Sequence, residues 1–350
     1  MRWNEVYVGA SAAHLGVTTD LRQVVAEGRY DADEFRDDDY ESVRVASSGP
    51  AVGLAVEAAR LALERAGEEL PDVALLAHAS CAYQGLDHFA PASYIQHHTV
   101  GGTGTALEIK QFSNGGLAAL GLAAGYLTHT PGPSAALLTT SDVFAEPDYD
   151  RYRSDKSIVL ADGGTALVLT HGGRPGVARL LSTSLLADAA AEGFYHGAHE
   201  WNAASGEGGR PLDLRARRTG YLAQGDSDIA AIVQAATVRQ QQVVDEALAD
   251  ADTDGKDVAC FVFPNVGRTV VDWEFRKRAG IEEARTAWQW GRTVGHLGAG
   301  DQFAGLTHLL ESGQVHPGDK VALAGIGMGF TFGCAVFEIL EQPEWSTSAR

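Results

Sequence analysis

Short apolar runs alternate with small-residue segments of helical period along most of the chain. The stretch 50–67 (PAVGLAVEAARLALERAG) repeats apolar residues at helical spacing, and the run 73–79 (VALLAHA) is typical of a buried strand. A Gly/Ala-rich apolar helix is predicted at about 115–128, followed by strands at 135–140 and 165–170. The first half of the chain therefore predicts a repeated strand and helix order.

The same order returns after a polar, Gly-rich segment at about 197–226. There the pattern predicts a helix, a strand, two helices and a strand at about 227–249, 258–263, 268–278, 302–312 and 320–325. Turn residues cluster at 172–176 (GGRPG). We therefore expect two similar halves, 1–175 and 176–350, each of which contributes residues to one active site. This repeated strand and helix order is equally compatible with a Rossmann-like fold, so sequence motifs are needed to identify the fold.

Composition narrows the class of protein. Of 350 residues, 45% are hydrophobic and 21% are charged, with neither an apolar run long enough to cross a membrane nor a secretory leader after Met1. We therefore expect a soluble, cytoplasmic protein. Asp plus Glu number 46 against 27 for Lys plus Arg, and the formal net charge of −19 disfavours nucleic acid or anionic lipid as a partner. An acidic carrier protein needs a local basic patch on such a chain.

The cysteines and histidines predict no metal site and no permanently bound cofactor. Cys81, Cys260 and Cys334 lack CxxC spacing, so we expect small buried hydrophobes. No HExxH or similar ligand spacing occurs. Several histidines are expected to be ordinary surface or core residues: His88, His97, His98, His196 and His199.

Three ordered segments resemble a family of condensing enzymes. The segments 137–143 (LLTTSDV) and 160–169 (LADGGTALVL) match its strand, Ser-Asp turn and Gly-Asp-Gly hairpin, and 317–338 (PGDKVALAGIGMGFTFGCAVFE) is similar to its PGD strand and Gly-rich hairpin. The chain thus resembles β-ketoacyl-[acyl-carrier-protein] synthase III over 50–175 and 227–340. The resemblance implies a five-layered αβαβα thiolase fold of two similar halves, paired as a homodimer through the first-half sheets.

The nucleophile motif of that family, D-x-x-x-x-C-x-G, aligns with Glu108, Ser113 and Gly115. Ser113 therefore stands where the family usually carries its cysteine. It lies between a strand and the helix 115–128, where the positive helix end favours negative charge. The resemblance implies a nucleophile, whereas an isolated serine before a helix is most often an N-cap.

Two motifs that support decarboxylative condensation in the family are altered. The P-H-Q-A-N motif aligns with 263–267 (FPNVG), so Pro264, which cannot donate a hydrogen bond, takes the histidine position. Asn265 supplies one possible supporting donor nearby. The G-N-T-S motif aligns with 295–301 (GHLGAGD), which puts His296 on the asparagine position. A hydroxyl nucleophile needs a general base, and an imidazole can serve as one.

Asp301 follows His296 across a Gly-rich turn and precedes the helix at about 302–312. Its carboxylate either orients the imidazole, completing a Ser-His-Asp arrangement, or caps the helix. Asp142 and Asp162 are rivals for the orienting role, although the resemblance makes both of them structural turn residues.

The resemblance also implies how the substrate is held. The backbone N–H groups of Ser113 and Met328, within 327–329 (GMG), are expected to stabilise the oxyanion. GIGMG is not followed by the βα unit of a dinucleotide loop. Four basic residues fall where the family binds its carrier protein, with a solvated helix face as the alternative: Arg268, Arg276, Lys277 and Arg278.

Three functions follow from these motifs. The first is an acyltransferase that uses an acyl-CoA or acyl-phosphopantetheine thioester and passes the acyl group through Ser113 to an acceptor hydroxyl, amine or thiol, as in natural-product (polyketide or antibiotic) pathways of secondary metabolism. The second is a starter-unit synthase that condenses its acyl group with malonyl-carrier protein. The third is a catalytically silent carrier-protein-binding partner, for which a newly placed His296 is not expected.

Overall fold

The computed structural model describes residues 1–173, 175–197, 201, 211–225, 228–271 and 273–346. Its strands are β1 (Val6–Leu15), β2 (Val17–Asp20), β3 (Ser42–Val45), β4 (Val73–Ala79), β5 (Thr105–Ile109), β6 (Ser134–Asp142), β7 (Gly163–His171), β8 (Ala178–Ala187), β9 (Val258–Val262), β10 (Lys320–Gly327) and β11 (Thr331–Ile339). Its helices are α1 (Leu21–Ala26), α2 (Ala32–Asp38), α3 (Ala51–Ala66), α4 (Pro91–His98), α5 (Gly115–Thr128), α6 (Gly193–His196), α7 (Leu214–Leu222), α8 (Ile229–Asp250), α9 (Trp273–Arg278), α10 (Trp288–Gly291) and α11 (Asp301–Ser312).

The main sheet repeats one strand order. Within the described residues it runs β5-β4-β6-β7-β1-β8-β11-β10-β9, and β2 pairs with β3 separately. In the first half, β1 lies beside β7, β7 is antiparallel to β6, and β4 lies beyond β6. In the second half, β8 lies beside β11, β11 is antiparallel to β10, and β9 lies beyond β10. In the second half a single bridge between Phe261 and Thr286 takes the place of a third strand. The halves meet where Tyr7 and Val8 of β1 pair with β8.

Helices separate and cover the two halves of the sheet. Helix α3 packs on β1, β6 and β7, and α8 packs on β8 and β11. Helices α5 and α11 lie between the halves, because each contacts strands of both. The predicted five-layered αβαβα architecture is therefore confirmed.

Most predicted elements are present, but the helix predicted at 268–278 is broken. A short 3-10 turn, Arg268–Val270, is followed by extended backbone at Val271, and α9 begins only at Trp273. The Thr269 hydroxyl donates to the buried carboxylate of Asp38, and Gly267 N–H donates to the Ser157 carbonyl at 2.7 Å. These tertiary bonds hold the segment against the first half and prevent a continuous helix.

Glycine allows the close approach of β7 and α3. A Cβ on Gly164 would lie 2.3 Å from both the carbonyl carbon and the carbonyl oxygen of Leu54. We therefore expect Gly164→Ala to lower the free energy of unfolding by about 1–3 kcal/mol, measured by urea denaturation, because backbone must move to admit the methyl group. Gly9→Ala is the control, since its Cβ would lie 3.5 Å from Val168 in ordinary contact. Equal effects of the two substitutions would contradict this account.

Candidate active site

Ser113 lies at a sharp turn between β5 and α5. It belongs to the 3-10 helix Phe112–Asn114, and Phe112 has a left-handed φ of 48°. The cap residue of α5 is Asn114, and no side chain caps the helix. Instead, the Ser113 Oγ lies 2.7 Å from Nε2 of His296. The N-cap interpretation of Ser113 is therefore wrong.

The backbone around His296 is held by the strand-like segment 159–161. His296 N–H donates to the Val159 carbonyl, and its own carbonyl accepts from Ala161 N–H, both at 2.8 Å. The side chain is buried, and Nδ1 lies 2.5 Å from Oδ2 of Asp301. The imidazole thus lies between a hydroxyl and a carboxylate.

Asp301 is the first residue of α11, and its carboxylate is completely buried. The cap position belongs to Gly300, so the N-cap interpretation of Asp301 is wrong as well. Besides the imidazole, the carboxylate accepts from Leu297 N–H at 2.7 Å, from Asn265 N–H at 2.8 Å and from Asn265 Nδ2 at 3.2 Å. These donors fix the orientation of the carboxylate, and the carboxylate in turn orients the ring.

The charges and hydrogen bonds around His296 favour one tautomer of its imidazole. Burial lowers the pKa of the imidazole, but the charge of Asp301 and its hydrogen bond outweigh burial, so the net pKa is raised. With the Nδ1 proton donated to Asp301, Nε2 is left as an acceptor for the Ser113 hydroxyl. The arrangement can remove a proton from Ser113.

Asn265 supports Asp301 and not the cavity. Its Nδ2 donates to Asp301 and to the Gly295 carbonyl at 3.0 Å, and its own carbonyl accepts from the Tyr40 hydroxyl at 2.7 Å. Pro264, beside it, lines the cavity described below. The predicted support from Asn265 is therefore indirect, through the position of Asp301.

The rival carboxylates hold backbone. Asp142 accepts from the N–H groups of Cys81, Ala82 and Ala299, at 2.7, 2.6 and 3.1 Å. Burial raises the pKa of Asp142 to about 6, although these N–H groups oppose the rise. Asp162 pairs with the Arg151 guanidinium at 2.9 Å. Neither carboxylate has a hydrogen bond to the imidazole in the described part of the chain, so both act as structural turn residues.

A cavity of about 570 Å³ opens onto Ser113 and His296. Its walls are mainly apolar and aromatic, and include Phe144, Tyr149, Ile158, Leu160, Phe263 and Phe330. Met328 also lines it, in the turn that joins β10 to β11. A Cβ on Gly327 would lie 2.2 Å from the Gln111 carbonyl oxygen, so glycine lets this turn approach the Ser113 segment. The oxyanion role of the Ser113 and Met328 N–H groups stays a prediction.

The predicted carrier-binding residues differ in their surroundings. Arg268 makes a bidentate pair with Glu283, at 2.8 and 2.6 Å. The Arg276 guanidinium lies 3.6 Å from the centre of the Phe263 ring and lines the cavity. Lys277 is exposed, and the side chain of Arg278 lies outside the described residues. The guanidinium groups of Arg268 and Arg276 lie 5.3 and 5.2 Å from the centre of the same ring, that of Trp273, and the docking role of the four basic residues stays a prediction.

The five other histidines and the three cysteines named in the sequence analysis differ in their exposure. His88, His97 and His98 are exposed, His196 lies 3.3 Å from Glu192, and His199 lies outside the described residues. Cys260 and Cys334 are buried thiols, as predicted, whereas Cys81 is only half-buried. No group of three potential ligands that could hold a metal occurs among the residues the structure describes. A search of those same residues finds no helix that could span a membrane.

Sequence reasoning missed one pair of charged residues in the cavity wall. Asp155 and Arg218 form an ion pair there, with Arg218 on α7. The two residues are 63 positions apart, and Arg218 lies in the segment that matched no family motif. No local pattern marks either one.

Comparisons with known proteins agree on one family. The model of the 3-oxoacyl-[acyl-carrier-protein (ACP)] synthase III C-terminal region matches residues 248–339. The β-ketoacyl-[acyl-carrier-protein] synthase III of Thermosynechococcus vestitus is 27% identical over 296 residues, which are 82% of this chain and 83% of that protein. The solved structure of the acyltransferase ChlB3 is 33% identical, with a TM-score of 0.89 over 98% of this chain and 100% of that one.

A more distant structure shows the same fold. The 3-oxoacyl-(acyl carrier protein) synthase III, FabH, of Pseudomonas aeruginosa PAO1 is 20% identical, with a TM-score of 0.76 over 97% of this chain and 99% of that one. At this identity the likeness concerns the fold alone.

Proposed function

Because the chain belongs to the β-ketoacyl-[acyl-carrier-protein] synthase III-like family of the thiolase superfamily, we propose that it is an acyltransferase. It takes an acyl group from a coenzyme A or carrier-protein thioester, holds it as an ester of Ser113, and passes it to an acceptor hydroxyl, amine or thiol. The observation that carries this proposal is the hydrogen-bonded chain from Ser113 through His296 to Asp301. The similar acyltransferase ChlB3 supports it.

The first half-reaction forms the ester. As Ser113 Oγ attacks the thioester carbonyl carbon, its proton passes to Nε2 of His296, and the N–H groups of Ser113 and Met328 are proposed to stabilise the oxyanion. The carbon–sulfur bond then breaks, and the imidazolium returns the proton to the leaving sulfur. Asp301 stabilises the imidazolium without taking the proton.

The second half-reaction reverses these roles. The acceptor attacks the ester carbonyl while His296 removes the acceptor proton, and the imidazolium then protonates Ser113 Oγ as the ester bond breaks. Water must be excluded for transfer to prevail over hydrolysis, and the apolar walls of the cavity favour that exclusion.

Two residues support transfer over condensation. Pro264 lines the cavity but has no N–H group, so it cannot stabilise the enolate formed when malonyl loses carbon dioxide. The side-chain N–H groups of Asn265 donate to the Gly295 carbonyl and to Asp301, so both already have partners. In a condensing enzyme, His296 would then have to serve both acylation and condensation.

Intact-mass spectrometry tests the proposal. The protein is incubated with an acyl-CoA and the mass increase is located by peptide mapping, with Ser113→Ala as the control. We expect acyl-Ser113 that disappears when a hydroxyl, amine or thiol acceptor is added. Loss of the acyl group to malonyl-carrier protein with release of carbon dioxide would establish the starter-unit synthase instead. Absence of any acyl-protein would favour the silent carrier-binding partner.

The acylation rate is expected to rise with pH. The neutral imidazole is the base, and the pKa of His296 is raised above 6.5, so the half-maximal rate lies above pH 6.5. Stopped-flow release of coenzyme A as the pH is varied measures this inflection. A flat profile would contradict a histidine base.

Lys277 is expected to assist only a carrier-protein donor. It is exposed on α9, and its charge attracts an acidic partner. We expect Lys277→Glu to slow acylation by an acyl-carrier protein several-fold at low salt, with little effect at high salt or with acyl-CoA. Lys256→Glu is the control, since Lys256 is exposed and pairs with Asp254 at 3.4 Å. Equal slowing with both donors would contradict the docking role.

We also propose a homodimer that pairs through the first-half sheets. Strand β5 is the outer strand of that half, pairs only with β4 among the described strands, and exposes Leu107. Such an edge is open to pairing with a second copy.

A further inference from the structure

An ion pair with a buried carboxylate interrupts the apolar wall of the cavity. Asp155 is only 3% exposed, and its two carboxylate oxygens accept from Nη1 and Nη2 of Arg218 at 2.6 and 2.7 Å. The guanidinium also lies over the rings of Phe194 and Tyr195, at 5.3 and 5.4 Å from their centres. All four residues line the cavity that contains Ser113.

Stability does not account for this pair. A buried ion pair contributes little net stability, because the cost of removing two charges from water offsets their attraction. Two other hydrogen bonds already hold helix α7 to the segment that contains Asp155. Leu214 N–H donates to the Ser154 carbonyl at 2.9 Å, and Arg215 Nη2 donates to the Asp155 carbonyl at 2.8 Å. Arg215 also forms a bidentate pair with Glu34. An apolar pair at 155 and 218 would serve a purely structural purpose equally well.

The pair retains unused hydrogen-bonding capacity. Arg218 Nε is buried and has no hydrogen-bond partner. Oδ1 of Asp155 also accepts from Lys156 N–H at 2.7 Å, whereas Oδ2 accepts from the guanidinium alone among the described residues and keeps a lone pair for a ligand. A ligand group at this point meets a donor and an acceptor whose charges cancel. A hydroxyl group can satisfy both, a ligand carboxylate is repelled by Asp155, and an alkyl chain leaves Nε unsatisfied.

The ion pair lines the same cavity as Ser113 and His296. Burial raises the pKa of the Asp155 carboxyl, and the charges of Arg218 and His296 act in the opposite direction. Asp155 in turn contributes to the raised pKa of His296. A group bound by the pair therefore belongs to the molecule whose thioester reaches Ser113.

We propose that Arg218 and Asp155 bind a hydroxyl group on the acyl chain, so that the preferred donors are thioesters of hydroxylated acyl groups. This inference rests on the proposed acyltransferase function. Cavities that bind small molecules gain their specificity from a few polar groups placed in apolar walls. A site with such groups discriminates against an analogue that lacks the matching hydroxyl, because its buried donor then loses its partner.

Binding to a protein that cannot be acylated tests the inference directly. Calorimetry on Ser113→Ala compares matched coenzyme A thioesters: butyryl with 3-hydroxybutyryl, and hexanoyl with 6-hydroxyhexanoyl. We expect at least one hydroxylated member to bind about tenfold or more tightly than its partner. Adding Asp155→Leu and Arg218→Met should remove that preference without lowering the unfolding midpoint. Arg65→Met with Glu311→Leu is the control, because this pair, at 2.7 Å, does not line the cavity.

The outcomes separate the two proposals. Equal binding within every matched pair would overturn the hydroxyl site even if acyl-Ser113 forms. A hydroxyl preference in Ser113→Ala, with no acyl-Ser113 in the parent protein, would retain the site and reject the acyltransferase. If the double substitution weakens both members equally, and only for coenzyme A and not for N-acetylcysteamine thioesters, the pair binds the pantetheine arm and the inference is wrong.

Discussion

Replacing His296 with Ala is expected to abolish the formation of acyl-Ser113, with a loss of at least about a thousandfold in rate. At neutral pH almost none of the serine hydroxyl is ionised, so attack on a thioester depends on the imidazole 2.7 Å away. The rate is measured by quenched-flow intact-mass analysis with an acyl-CoA. His88→Ala serves as the control, because His88 is exposed and lies outside the cavity lining.

A thiol at the same position sharpens this prediction. Ser113→Cys should be acylated at least as fast as the parent, because a thiol with a pKa of about 8.5 is a few per cent thiolate at neutral pH without help. The double variant Ser113→Cys/His296→Ala should therefore exceed His296→Ala alone. Acylation of His296→Ala at the parent rate would remove His296 from the mechanism and require a different base or the silent-partner function.

Replacing Asp301 with Asn is expected to slow acylation by about a hundredfold, less than the loss of His296. The amide of Asn can donate to Nδ1, which places the ring proton on Nε2 and removes the acceptor for the Ser113 hydroxyl. The inflection of the pH profile should also move to lower pH, because the Asp301 charge is a main reason that the pKa of His296 is raised.

Stability measurements separate this chemistry from misfolding. Asp301 accepts from the backbone N–H groups of Leu297 and Asn265, so Asn at 301 is expected to lower the free energy of unfolding by about 1–3 kcal/mol as well. A folded Asp301→Asn protein that keeps the parent rate and inflection would exclude an orienting role. Ser113→Cys in the same background should recover part of the rate, because a thiol depends less on the base.

Local patterns predicted the elements whose structure depends on neighbouring residues. The bounds of β4 and α5 agree with the predicted 73–79 and 115–128, and α3 and α11 agree within about one residue. Strong apolar periodicity determines burial and backbone conformation within one element. The altered motifs also placed His296 and Asp301 five residues apart, a separation that allows their contact but also allows Asp301 to cap the helix.

Where the sequence pattern was weaker, tertiary contacts overrode it or the pattern did not indicate the element at all. Strand β1 mixes small and polar residues with apolar ones, and the sequence interpretation did not predict it. The 268–278 segment has residues compatible with a helix, but the bonds of Thr269 and Gly267 to the first half prevail over that weak preference.

The sequence by itself determined the repeated strand and helix order, the family resemblance and the identity of the candidate nucleophile. Only the tertiary structure decided between a helix cap and a contact with the imidazole for Ser113, because His296 lies 183 residues away along the chain. It also brought Asp155 and Arg218 together across 63 residues. Such contacts follow from the order of strands in the sheet and from the close approach that particular glycines allow, neither of which a local pattern encodes.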